Sequence, residues 1–255
     1  MNSEHKNSKH NLSVIKAIRI INLLAENNDK MSLAEISSKL SLLPSTAHHL
    51  ITSLKMEHYV EQNLRTKKYG LGLRLFEIGL SNNYYQLLVD RVTPVLELIS
   101  GETGESSNLA VMIEGQITYI AQKQSTQMMK TFVRLGQRSP VHCTGVGKVL
   151  ISDLAEEEIR LIISQHGLKR YTNNTITTVD EFLNEVKNVK RDQYALDREE
   201  REDGVFCIAV PVYNSAGKIV AAISVSGPEV RMKTKDIDST VDLIKKNTLL
   251  LSGTL

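Results

Sequence analysis

The chain has 255 residues, enough for two domains or one large one, and its 41% apolar and 24% charged residues are ordinary for a chain that buries a core. No uncharged run approaches a membrane span, the polar start MNSEHKNSKHN has no apolar signal region, and two cysteines, Cys143 and Cys207, make neither a disulfide framework nor a four-ligand zinc site. A reduced, cytoplasmic protein with no membrane partner and no metal is therefore expected. The net charge of +2 is uneven: ten Lys/Arg face six Asp/Glu through Gly72, and 21 face 23 beyond it. A mildly basic N-terminal quarter is compatible with a nucleic-acid partner at that end.

Residues 1–11 read as a disordered tail. Val14, Ile18, Ile21 and Ala25, with Leu24, recur at helical spacing, so a helix is expected from Ser13 to about Asn27, ended by Asn27-Asn28-Asp29. Ser32 with Glu35 forms a capping box for a short second helix carrying Leu33, Ile36 and Leu40. Pro44 breaks that helix and suits the first turn of a third, with Ala47, Leu50, Ile51 and Leu54 on one face. This is the pattern of a helix-turn-helix. The third helix turns Ser45, Thr46, His48, His49, Thr52 and Lys55 outward, short hydroxyls and hydrogen-bonding rings rather than a Glu/Lys mix, which can meet phosphates and base edges in a major groove. Tyr59–Gln62 and Lys67–Leu71 then read as a hairpin with Arg65, Lys67 and Lys68 near its tip, three cations placed to contact backbone phosphates.

The run SLAEISSKLSLLPSTAHHLITSLKMEHYVEQNLRTKKYGLGLRLFEIG resembles the DNA-binding half of the IclR-type bacterial transcriptional regulators. It has that family's Ser-Thr-x-His-x-Leu recognition helix and a wing closing in Tyr-x-Leu-Gly. His49 stands where an arginine is common, and a neutral imidazole cannot grip a guanine as an arginine fork does.

Leu73 to about Asn83 has helical periodicity and would join two domains, followed by a helix over Leu87–Ser100 in which Pro94 allows a kink. Asn108–Gln122 alternates around Gly115-Gln116 as a hairpin, and Thr131–Leu135 is a further strand candidate. Helices are expected over Val146–Leu154, Glu156–His166 (capped by Ser152 or Asp153) and Val179–Lys190. Cys207–Tyr213 and Lys218–Gly227 are apolar, β-branched runs around Asn214-Ser-Ala-Gly217, a hairpin signal, and a helix over Thr234–Leu251 closes the chain. Without βαβ regularity this is an α+β arrangement.

Tyr194–Asn214 matches the family's effector-domain signature of Asp, then Glu, then Cys-Ile-Ala-x-Pro-Val, so the resemblance covers the chain from about Leu12. It implies a winged helix-turn-helix over 12–72, a linker helix over 73–83, and over 84–255 a GAF-like α+β effector-binding domain with a mainly antiparallel sheet. It also implies pocket residues Gly145, Val146, Asp197, Cys207, Ser224 and Ser226. The function implied is that of a DNA-binding regulator, a repressor by preference. Its partners would be a double-stranded operator, a small effector such as an organic or sugar acid, and itself as a dimer or tetramer, with no cofactor and no catalytic residues.

Residue chemistry is consistent with parts of that picture and leaves others open. Ser224 and Ser226, two apart on a strand, share one side. Gly145 and Gly147 before a helix could present N–H groups to an anion, yet the P-loop spacing is absent. Cys207 between Phe206 and Ile208 reads alone as a core thiol, and Glu199, Glu200, Glu202 and Asp203 among arginines read as a self-paired surface. Two other functions compete: a thiol hydrolase using Cys143 or Cys207, disfavoured because adjacent His142 and Cys143 point to opposite sides, and an adaptor using the winged helix to dock proteins.

Overall fold

Asn11 opens the first helix by accepting the backbone N–H groups of Ser13 and Val14, at 3.0 and 3.4 Å. In this computed structural model, residues 11–27, 30–81, 83–249 and 251 are described. Of the expected tail over 1–11, Asn11 is the cap just described and the rest lies outside the described residues, as does the helix stop at Asn28-Asp29. The chain divides into two units between Asn83 and Tyr84.

The first unit holds α1 (Leu12–Glu26), α2 (Leu33–Leu40), α3 (Pro44–Met56), strands β1 (Val60–Gln62) and β2 (Tyr69–Leu71), and α4 (Leu73–Leu80). The Ser32–Glu35 capping box forms in both directions. Between α2 and α3 the chain reverses through Ser41 in the left-handed region, φ 52°, while Leu42 N–H returns to Ser37 O. Pro44 then starts α3 with no N–H to lose. Ile20, Leu23 and Leu24 of α1 pack with Ile36, Ile51, Val60 and Tyr69. That corrects the expected stripe: Val14 and Ile18 are half exposed, because α1 is apolar on two sides and periodicity alone fits either. Gly72, which closes the wing, is required sterically, since a Cβ there would lie 2.1 Å from His58 O.

The second unit comprises α5 (Asn83–Thr103), β3 (Ser106–Ile113), β4 (Gln116–Lys123), β5 (Arg138–Ser139), α6 (Gly145–Ile151), α7 (Glu156–His166), α8 (Val179–Asp192), β6 (Ala195–Arg198), β7 (Val205–Tyr213), β8 (Ile219–Pro228), α9 (Glu229–Met232) and α10 (Ile237–Leu249). The strands form one antiparallel sheet in the order β5-β4-β3-β8-β7-β6. Alternation along each strand divides the core. Leu109, Val111, Ile208, Val210, Ile223 and Val225 meet α5 and α10 on one side. Ala110, Ala195, Ala209 and Ala222 meet α6, backed by α7 and α8, on the other. The alanines leave room for a close approach: a Cβ on Gly145 would stand 3.2 Å from Ala209 Cβ, and one on Gly147 would strike Val141 O at 2.4 Å.

Several expectations are corrected. Thr131–Leu135 is irregular, and the edge strand forms instead at Arg138–Ser139, where it pairs with Ile117 and Thr118. The N-cap of α7 is Ala155, whose N–H is met by Glu158, rather than Ser152 or Asp153. Pro94 lies inside one uninterrupted helix. Strand β6 carries three buried residues in four and had no separate sequence signal. Gln193 sits in the left-handed region at φ 59° as the C-cap of α8, held by a hydrogen bond to Lys190 O and by contact with Tyr213.

Candidate nucleic-acid interface and ligand cavity

On α3 the buried residues are Ala47 and Ile51, which leaves Ser45, His48, His49 and Thr52 exposed along the opposite side and Thr46 half-buried at its flank. Thr52 Oγ1 donates back to His48 O at 2.8 Å, and the two imidazoles meet edge-on. This surface offers donors and acceptors, with a cation, Lys55, at its C-terminal end donating to Gln62 of the wing. The wing supplies further charge. Asn63 Oδ1 accepts the N–H groups of Arg65 and Thr66, Lys67 takes φ 58°, and Gln62 donates to Lys67 O, so the tip is a hydrogen-bonded turn. Arg65 and Lys67 are exposed and have no carboxylate partner among the described residues, while Lys68 is half-buried and faces the field of Glu35.

The second unit contains a cavity of about 530 Å³. Its sheet wall follows from register. Asp197 on β6 pairs with Cys207 on β7, and Cys207 with Ser226 on β8, so three of the expected residues lie side by side. All three line the cavity, with Tyr119 and Thr144. The next row is Ala195, Ala209, Ser224 and Asn108, the surface on which α6 rests. Ser224 and Ser226 do share one side: both accept from the Asn108 amide, at 3.2 and 3.1 Å, and Gln122 donates to Asn108 Oδ1. Gly145 and Val146 are buried in the first turn of α6, and the residue of that turn facing the cavity is Thr144, whose hydroxyl caps Gly147 N–H. The structure therefore gathers Asp197, Cys207 and Ser226 at the cavity and sets Ser224, Gly145 and Val146 just behind it.

The lining continues in the irregular segment 129–134, which the sequence suggested only as a strand over Thr131–Leu135, and in Gln137. The segment is fastened to the ends of the two central strands, β3 and β8: Thr131 donates to Ser226 O, Ser106 donates to Thr131 O, and Arg231 donates to Met129 O while forming a bidentate pair with buried Glu105. Also missed was Lys148. Its ammonium is fully buried and donates to Glu200 at 2.6 Å, Leu196 O at 2.9 Å and Glu185 at 3.1 Å. Glu200 is consequently buried, not part of a solvated acidic surface, because Lys148 from a distant helix draws it inward.

Burial shapes the titration of this wall. Desolvation raises the Asp197 carboxyl to about 7, against the N–H groups of Glu200 and Arg201 that favour its ionised form. It also pushes the Cys207 thiol far above its ordinary range and Cys143 to about 12. His142, lowered by burial, donates to Lys169 O. Both thiols therefore stay protonated at neutral pH, and neither is poised as a nucleophile.

A winged helix-turn-helix followed by a ligand-sized cavity in an α+β unit defines a DNA-binding regulator with a sensing domain. Residues 13–64 match the IclR helix-turn-helix domain, and residues 85–252 match the bacterial transcriptional regulator IclR C-terminal domain. The chain belongs to the IclR family of transcriptional regulators. It is 33% identical over 219 residues to the HTH-type transcriptional regulator KdgR of Dickeya chrysanthemi, covering 86% of this chain and 72% of that one. It is 30% identical over 240 residues to the HTH-type transcriptional repressor AllR of Escherichia coli K12, covering 94% and 89%. In fold it is similar to an IclR regulator from Alicyclobacillus acidocaldarius, with TM-score 0.83 at 24% identity over 95% and 98% of the two chains. An IclR homologue from Microbacterium hydrocarbonoxydans, solved with 4-hydroxybenzoate, gives TM-score 0.84 at 21% identity over 94% and 97%.

Proposed function

We propose that the protein is a cytoplasmic repressor. Its winged helices, paired in a homodimer or a dimer of dimers, hold an operator until a small organic carboxylate enters the C-terminal cavity. The observation that carries this reading is the row Asp197–Cys207–Ser226, with Tyr119 and Thr144, on one wall of a cavity sized for a metabolite. Ser45, Thr46, His48, His49 and Thr52 would read the groove, and Arg65, Lys67 and Lys68 would contact the backbone. The repressor named among the relatives and the carboxylate bound by one fold neighbour support the same direction. Self-association is supported by α4, which buries none of its residues and leaves Leu73, Phe76 and Leu80 exposed, and by the unburied side of α1. Eight residues hold helical form poorly without packing, and a second copy supplies matching surfaces with the two-fold symmetry of a paired operator. Regulation then requires the carboxylate to favour one spacing of the winged helices over the other.

The test starts from a random duplex pool. Recovery of one sequence by the purified protein, released in an anisotropy titration by an organic acid, is the expected result. Failure to enrich any duplex would favour protein docking by the winged helix. Ser224→Ala with Ser226→Ala should weaken the release while leaving operator affinity intact, and an unaltered titration would move the ligand site elsewhere.

A further inference from the structure

Arg201 lines the same cavity, and its surroundings are unusual for an arginine in an acidic stretch. Glu199, Glu200, Glu202 and Asp203 flank it in sequence, yet among the described residues its guanidinium has no carboxylate partner. Instead its Cζ lies over the Tyr171 ring, 3.9 Å from the centroid. Its neighbours are drawn elsewhere: Glu200 to buried Lys148, and Glu199 to Gly204 N–H and Lys233. The backbone beneath it is held by an independent set of bonds. Thr172 and Thr175 donate to Glu200 O, and Glu200 N–H donates to Asp197. An arginine so fixed keeps a planar fork of donors available at little further cost in side-chain entropy.

We propose that Arg201 is the residue that binds the carboxylate of the ligand, with Tyr171 as its positioning residue, so that the cavity selects organic monocarboxylates over their neutral counterparts. The ligand's carboxylate lies in the fork of Arg201, and its remaining polar groups face Ser226, Thr144 and the Asp197 carboxyl. The assignment rests on the effector-cavity reading above and adds to it which group recognises the charge. The Tyr171 ring covers part of the guanidinium and holds it in place without using a carboxylate, which keeps its N–H donors for the anion.

The probes are 4-hydroxybenzoate, pyruvate and D-gluconate, each paired with its neutral amide, titrated against the full-length protein by calorimetry and thermal shift. At least one acid is expected to bind and its amide to bind at least tenfold more weakly, and Arg201→Gln should erase that preference by weakening the acid alone. Tyr171→Leu should weaken the same acid several-fold, and Arg201→Lys should recover part of the loss, since charge remains but the fork does not. An acid that binds parent and Arg201→Gln equally overturns the assignment of Arg201 while the cavity reading stands. Binding of none of the six probes overturns both. Should Arg201→Gln lose its cooperative melt, Tyr171→Leu in the same acid–amide comparison decides, and an unchanged preference there overturns the proposal.

Discussion

The two candidate sites solve recognition in opposite ways. The winged helix presents mostly exposed side chains from one contiguous stretch, and at the wing tip Arg65 and Lys67 have no carboxylate partner among the described residues, which leaves them for a polyanion to meet. The cavity is concave and its polar wall is assembled by strand pairing, with Asp197, Cys207 and Ser226 brought side by side only by sheet register. The first surface has little to lose on mutation except binding. The second is continuous with the core, so function and stability share residues.

Lys148 tests that division most severely. Lys148→Met would strand Glu200 and Glu185 without their cation, and breaking a buried pair in this way costs about 3–5 kcal/mol. Urea melts should show that loss, together with weakened ligand response; a change below about 1 kcal/mol would mean that the site behaves like a surface pair. On the other unit, neutralising Arg65, Lys67 and Lys68 together should lower the slope of log affinity against log salt by roughly 2–3, with no change in the melt. A destabilised protein with an unchanged slope would show the wing to be structural.

A third prediction concerns protons. Asp197 titrates near 7 in the fold and near 3.8 when unfolded, so between those values the folded state binds the extra proton. Its contribution therefore makes stability fall as pH rises from about 4 to 7. Buried Glu200, also raised by desolvation, adds in the same direction. Asp197→Asn should flatten that decline in denaturation midpoints measured across the range; an unaltered profile would show that Asp197 is solvated in solution. The smallest expected effect is His49→Ala, which should shift base preference by about 1 kcal/mol or less at one operator position, at the low end of a base-specific contact. A uniform loss over all duplexes would make His49 a phosphate contact instead.

The same contrast explains what could be read in advance. The helix-turn-helix and wing were legible because their signals are local: the Ser32–Glu35 box, Pro44 at a helix start, and an alternation of two strands around a basic turn. Which side of α1 is buried was not legible, since Ile20 and Ile18 are equally apolar and only the partners α2 and α3 choose between them. In the second unit the β7–β8 hairpin was plain, whereas Glu200 was misread because its charged neighbours suggest solvent and its cation lies 52 residues away. Ser224 likewise has its partner Asn108 at a separation of 116 residues. The segment that walls the cavity at 129–134 read only as a strand over Thr131–Leu135, and it is not one, because side-chain hydrogen bonds to its backbone hold it rather than a ladder.

The alanine row beneath α6 has a consequence for how this sensor can change. Helix and sheet are in contact at Ala195 and Ala209, and one row further on, at Asp197 and Cys207, they part to leave the cavity. Enlarging Ala209 would pry the helix away, whereas trimming Cys207 or Ser226 deepens the space beyond, with loss of the Asn108 bond in the case of Ser226. Ligand size is thereby set one row away from the contact that seats α6, and a lineage can shift from one acid to another by substitutions in that row, each weighed against the core it borders.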